Sequence, residues 1–255
     1  MNILEVTDLS INFGGVKAVQ NVSMRAEKGS ITSIIGPNGA GKTTFFNLVS
    51  GIYKPTSGKV MLDGEDITSL KQHEISHKGI SRTFQNIRLF NQLSNLQNVQ
   101  SALDARANYN VFEAVLGLPG KRKKDKENRE RSRYFLDLVD LGDVAEERPN
   151  SLPYGKQRRL ELARALASEP KLLMLDEPAA GLNPTEVEEF IELIRKIQGV
   201  FDLSILLIEH RLKVVHTLSN HIYVLNFGEL LAEGNSEQIQ ANQEVIAAYM
   251  GEDED

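Results

Sequence analysis

Residues 36–46 read GPNGAGKTTFF. Three glycines, a lysine and a threonine at that spacing satisfy G-x-x-x-x-G-K-[ST], whose chemistry is the cradling of a polyphosphate. Gly36, Gly39 and Gly41 let the backbone approach a ligand closely. With Pro37, Asn38 and Ala40 between them, successive N–H groups turn inward and form an anion-binding cavity. Lys42 then reaches the β- and γ-phosphates as a point charge, and the Thr43 hydroxyl, with Thr44 beside it, is placed to ligate Mg²⁺. The loop is silent about what the triphosphate is used for, since kinases, GTPases, helicases and transport ATPases share it.

A second group of acids stands at 171–178, KLLMLDEP, an apolar run that reads as a buried strand ending in two carboxylates. Carboxylates at the C-terminal end of such a strand face the crevice where α/β sheets bind ligands. Asp176 is the candidate to hold Mg²⁺ through water, and Glu177 to orient or deprotonate an attacking water. Two single residues admit two readings each. His210 ends the run SILLIEH, where it contacts a γ-phosphate or is structural. Phe13, in INFGG, stacks on a purine base or packs in the core, while Gln85, in SRTFQNIRLF, reads on its own as a surface glutamine.

The stretch SLPYGKQRR (151–159) opens a helical pattern with Gly155 in its first turn. Such a helix start presents backbone N–H groups and the positive end of its dipole to an anion.

These groups need a scaffold to hold them. Runs at 30–36, 59–64, 171–178, 204–210 and 221–234 read as strands, with helical patterns between several of them, which indicates an α/β core. Phe227-Gly228 divides the last run into an edge hairpin. In GLNPTEVEEFIELIRKIQ, Asn183 caps a helix, Pro184 takes its first position and Glu186 falls three residues after the cap. Val187, Phe190, Ile191, Ile194 and Ile197 form its apolar stripe. From 87 to 165 strand-like runs are few and helix formers many, so a helical lobe is expected as an insertion in the core formed by 1–86 and 166–255. It contains a turn at GLPG (117–120) and a charged block at 121–133, whose interspersed acids and helical spacing favour a solvated helix face over a basic patch.

Composition narrows the options. A 255-residue chain that is 41% hydrophobic and 25% charged has the makings of a folded core. Its net charge of -6 argues against general nucleic-acid binding, which relies on excess Lys and Arg. The absence of cysteine excludes disulfides, thiolate metal sites and cysteine nucleophiles. The N-terminal MNILEVTDLSINFGG alternates and carries acids, so it is read as a strand rather than a secretory signal. No window has the ~20 apolar residues that cross a bilayer, so any membrane connection is expected to go through a partner.

In order along the chain stand Phe13, the phosphate loop, Gln85, LPYGKQRR, LLMLDEP, GLN and His210. This order resembles the ATP-binding subunit of ABC transporters over essentially the whole chain. The resemblance implies the ABC ATPase fold: a P-loop NTPase core, an antiparallel β subdomain and an inserted helical subdomain. It further implies that Phe13 stacks on adenine, that Gln85 links the γ-phosphate and Mg²⁺ to a transmembrane partner, and that His210 is a γ-phosphate switch. Residues 180–183 become a loop that crosses to an opposite subunit. LPYGK (152–156) falls where the family has Leu-Ser-Gly-Gly-Gln, so Tyr154 and Gly155 are expected to meet ATP held by a second subunit, in a homodimer or a heterodimer.

The chain departs from the family pattern at several of these positions. Pro153 replaces a serine, removing a hydroxyl and a backbone donor, and Tyr154 replaces a glycine. Lys156 replaces glutamine, Asn183 replaces the common Asp, and Arg211 stands where an acid usually follows the histidine. Within the family, RTFQNIRLF, the helical-lobe extension through GLPGKRKKDKENRE, YGKQRRLELARAL, DEPAAGLNPTE, LLIEH and IAAYMG resemble the larger ATPase of branched-chain amino acid uptake systems. That likeness implies a peripheral protein at the cytoplasmic face of the membrane, with a second ATPase and two permease subunits. It also implies an external binding protein, reached only indirectly, that presents leucine, isoleucine or valine. The alternatives are a similar engine for urea, amides or other amino acids, and a non-transport ATPase of the same fold.

Overall fold

The computed structural model describes residues 1–106 and 119–250. Gly117 and Leu118 of the expected GLPG turn, and Gly251 of IAAYMG, lie outside them. The chain divides into two compact units, Met1–Arg82 with Lys171–Asp255, and Thr83–Pro170.

The first unit begins with β1 (Asn2–Phe13), β2 (Val16–Glu27), β3 (Ile31–Ile35), α1 (Lys42–Val49), β4 (Ser57–Leu62), β5 (Glu65–Asp66), α2 (Gln72–Lys78) and β6 (Ile80–Arg82). The second unit follows with α3 (Asn95–Arg106), α4 (Pro119–Leu138) and α5 (Tyr154–Ala167). The chain then returns to the first unit through β7 (Leu172–Asp176), α6 (Pro184–Phe201), β8 (Ser204–Ile208), α7 (Leu212–Leu218), β9 (His221–Asn226), β10 (Glu229–Gly234), α8 (Ser236–Gln240) and α9 (Gln243–Met250).

Two sheets build the first unit: an antiparallel one in the order β2-β1-β4-β5, and a second in the order β10-β9-β3-β8-β7-β6. In the second, β9, β3, β8, β7 and β6 run parallel, and only β10 turns back, through Phe227-Gly228. β3, β7 and β8 are apolar or small at nearly every position and buried along their whole length, as strands covered on both faces must be. Mixed sheets of this kind agree with the expected ABC ATPase fold. Phe45 and Phe46 of α1 are fully buried in the core shared by both sheets. Each contributes about 1.5–3 kcal/mol, which fixes the helix that leaves the glycine-rich loop.

α6 starts as its sequence predicts. The Asn183 side chain accepts from Glu186 N–H at 3.0 Å, and Glu186 accepts from Asn183 N–H at 2.9 Å. Its stripe of Val187, Phe190, Ile191, Ile194 and Ile197 is buried.

In the second unit, α4 buries Asn128, Ser132, Phe135 and Leu136, and Val139 just past its end, while the charged residues around Lys126–Arg133 face outward. That spacing of three and four makes one inward stripe and leaves the charges solvated. Asn128 reaches α3, donating to Asp104 at 2.7 Å.

Candidate nucleotide site

β3 pairs with β8, and β8 with β7, all parallel and with Ile34 opposite Ile208 and Ile208 opposite Asp176. The loops that follow these strands therefore leave one edge of the sheet. The glycine-rich loop comes after β3, Asp176 and Glu177 end β7, and His210 lies just past β8. Strand order has put adjacent in space what the sequence holds far apart.

The glycine-rich loop is set by its backbone. Gly36, Gly39 and Gly41 all have positive φ, at 147°, 76° and 98°. A Cβ at Gly36 would lie 2.0 Å from the Leu225 carbonyl oxygen, and one at Gly41 2.5 Å from that of Ala18. These two glycines are required by packing as well as by conformation. A Cβ on Gly39 would meet nothing within 4 Å, so this glycine serves the turn alone. The β9–β10 turn braces the loop, Gly228 N–H donating to Ala40 O at 3.0 Å. Pro37 and Ala40 are buried; Asn38 and Gly39 are exposed. Lys42 is only 6% exposed, and its ammonium donates to the carbonyls of Gly36 and Pro37, both at 2.7 Å. Thr43 is exposed at the first turn of α1, with Thr44 half-buried behind it.

Asp176 is buried at the end of β7, and Arg82 Nη2 donates to its Oδ2 at 2.7 Å. Arg82 also donates through Nη1 to Asn47 Oδ1 at 2.8 Å and to Ser50 Oγ at 3.0 Å, and its guanidinium lies 5.4 Å from the centre of the Phe46 ring. One side chain thus ties β6, α1 and the end of β7 together. Sequence reasoning passed over Arg82 because no local pattern marks an arginine whose partners lie 32 to 94 positions away.

Glu177 sits at a left-handed φ of 48°, and its N–H donates to Ile208 O at 2.9 Å. Its carboxylate meets His210, with Oε1 to Nε2 at 2.9 Å. Glu209, next to it, is buried, and burial raises its pKa above the ordinary carboxylate range despite three N–H donors. Phe13 remains 43% exposed and packs edge-on against Tyr53, ring centres 5.1 Å apart. Tyr53 was not foreseen; an aromatic 40 residues along the chain gives no local signal of pairing with Phe13.

In the second unit Gln85 is exposed, and its carbonyl accepts from Arg158 Nη2. Arg158, on α5, also donates to Phe84 O at 2.9 Å and to the Tyr154 hydroxyl at 2.8 Å, and is backed by the buried Glu161. The Tyr154 ring lies against the same guanidinium, 5.3 Å from its centroid. Gln85 and Tyr154 are thereby held within one unit through one arginine. Pro153 stands at the helix cap position and no side chain caps α5, so its first-turn N–H groups around Gly155 are served by no cap of their own.

The donor set suits a hard divalent cation: the Thr43 hydroxyl and the Asp176 carboxylate are both oxygens, and Mg²⁺ is held by few protein oxygens beside phosphate. No described helix is long and apolar enough to cross a membrane.

The sequence pattern of the ABC transporter family matches residues 19–180, and that of the branched-chain amino acid ATP-binding cassette transporter matches residues 229–255. The chain is similar to the high-affinity branched-chain amino acid transport ATP-binding protein BraF of Pseudomonas aeruginosa, 45% identical over 98% of each chain. It is similar also to the high-affinity branched-chain amino acid transport ATP-binding protein LivG of Escherichia coli K12, 43% identical over 98% of each. Among solved structures, the ADP conformation of an ATP-binding cassette of an ABC transporter superposes with a TM-score of 0.86 at 29% identity, covering 98% of this chain and 99% of that one. Matched by this family over residues 19–180, and similar to its members along nearly its whole length, the chain belongs to the ATP-binding cassette family of ABC transporters.

Proposed function

We propose that this chain hydrolyses ATP to drive a membrane importer for branched-chain amino acids. The observation that carries the reading is the convergence of the glycine-rich loop, Asp176–Glu177 and His210 on one edge of a parallel sheet, with His210 2.9 Å from Glu177. The cargo is supported by the likeness to BraF and LivG and by the match at 229–255.

Gly36–Gly41 wrap the phosphates with backbone N–H groups, and Lys42 adds its charge. Thr43 and Asp176 would hold Mg²⁺, which would supply neutralisation of phosphate charge. Glu177 orients the attacking water and takes up its proton, with His210 holding the Glu177 carboxylate and facing the γ-phosphate. Arg82 fixes the buried Asp176 carboxylate through the 2.7 Å bond to its Oδ2. Phe13, with Tyr53 at its edge, offers a face to the adenine.

Gln85 carries the state of the γ-phosphate and Mg²⁺ toward a permease. Tyr154 and Gly155 of one subunit close on the nucleotide of another, the open first turn of α5 supplying N–H donors where Pro153 and Tyr154 offer no serine hydroxyl or second glycine. The working assembly is a homodimer or a heterodimer with a second ABC ATPase, on two permease subunits at the cytoplasmic face of the membrane. An external binding protein delivers the amino acid, which this chain does not touch.

Glu177→Gln tests the assignment. The variant binds ATP and Mg²⁺ with ordinary affinity, loses turnover and accumulates as an ATP-bound dimer on size exclusion. Undiminished hydrolysis removes Glu177 from its role.

A further inference from the structure

After β7 the chain passes through Glu177 into residues 178–183, and after β8 through Glu209, His210 and Arg211 into α7. Each of the three residues after β8 holds a different point of the segment after β7. Glu209 Oε1 accepts from Ala179 N–H at 2.8 Å, His210 meets Glu177 at 2.9 Å, and Arg211 Nη2 donates to Leu182 O at 2.8 Å. The other Glu209 oxygen, Oε2, accepts from the N–H groups of His210 at 3.0 Å and Arg211 at 3.1 Å.

This carboxylate is 2% exposed. A buried carboxylate is costly unless its oxygens are satisfied, and here three backbone donors satisfy them. Only an acceptor with two oxygens and no hydrogen fits both sides at once. A glutamine keeps either the Ala179 bond or the pair to His210 and Arg211, and turns an NH₂ toward N–H on the other side. Glu177 needs such support, because a non-glycine residue at φ 48° stays there only when its surroundings enforce it.

We propose that Glu209 and Arg211 are positioning residues that staple the 177–182 segment to His210, so that the water-orienting carboxylate, the histidine and the loop beyond them move as one piece. The inference rests on the hydrolytic reading of Glu177 and His210 for its consequence, and on the hydrogen bonds alone for its mechanics. Where an acid would follow the histidine, Arg211 supplies a donor that an acid lacks, and the Leu182 carbonyl receives it.

The test combines amide hydrogen exchange with steady-state kinetics on the full chain. In Glu209→Gln either the amide of Ala179 or those of His210 and Arg211, whichever side the NH₂ faces, exchange about ten-fold faster while those of α6 are unchanged, since the lost bond held them closed. ATP turnover falls about ten-fold with KM within about two-fold, as expected when reacting groups are misplaced but binding is intact. Arg211→Met, at an exposed position that does not threaten folding, gives a smaller loss of kcat, again at constant KM. Unchanged exchange at the three amides overturns the staple, as does an Arg211→Met variant with full kcat. If Glu177→Gln hydrolyses ATP normally the hydrolytic reading fails by itself, while the exchange result still decides whether the staple exists.

Discussion

Arg82→Met is the perturbation whose size follows most directly from the structure. Arg82 and Asp176 form an ion pair at 2.7 Å with side chains only 6% and 5% exposed. In water such a pair contributes little, but here neither charge has solvent to fall back on. Methionine preserves much of the arginine stem that packs by Phe46 and removes the charge, leaving Asp176 buried and unpaired. Breaking a buried pair in this way costs about 3–5 kcal/mol. Asn47 and Ser50 lose a donor as well, which pushes the loss toward the upper end. For a chain of this size the melting temperature falls by about 6–20 °C.

The companion variant Arg82→Met with Asp176→Asn removes the stranded charge. Because a buried pair replaced on both sides is often close to neutral, the double variant recovers about 2 kcal/mol or more relative to the sum of the single changes. Urea unfolding followed by far-ultraviolet circular dichroism, which suits a chain without tryptophan, measures all four proteins. A single variant within about 1 kcal/mol of the parent refutes the reasoning. So does a double variant that shows no coupling, because the charge would then not be what Arg82 stabilises.

Lys42→Ala removes the ammonium that the loop carbonyls hold in place, and titration with a fluorescent ATP analogue is expected to show about ten- to hundred-fold weaker binding, as for loss of a charged hydrogen-bond donor. Stability against pH gives an independent check through Glu161, whose burial raises its pKa above 4.5 against the opposing pull of Arg88 N–H and Arg158. The folded state then holds this proton more tightly than the unfolded one, so the contribution is complete below about 4.5 and is lost as pH rises through the folded value. Wild type minus Glu161→Gln therefore shows a stability difference that declines with rising pH above the ordinary glutamate range and then levels. The acids Asp63, Glu65, Asp66 and Glu74 have lowered pKa values and act in the opposite sense, which is why the difference rather than the raw curve carries the test. A difference that rises with pH contradicts the burial of Glu161.

Local chemistry made much of this protein legible in its sequence. The glycine spacing at 36–41 is dictated by backbone conformations that other residues resist, and the Asn183–Pro184–Glu186 start of α6 is a hydrogen-bond pattern completed within four residues. The apolar runs of β3, β7 and β8 state their own burial. Together with the motif order, these fixed the α/β fold and nominated the candidate site.

Long-range pairing decided the rest. Arg82 finds Asp176 across 94 positions, Glu209 finds Ala179 across 30, and Phe13 finds Tyr53 only once β1 is folded into its sheet. Arg158 reaches back 73 and 74 positions to the carbonyls of Gln85 and Phe84, a contact with backbone that leaves no trace in side-chain pattern. Strand order brings such groups together, and strand order is a property of the closed sheet, set by which apolar faces cover one another, so no window of the sequence contains it.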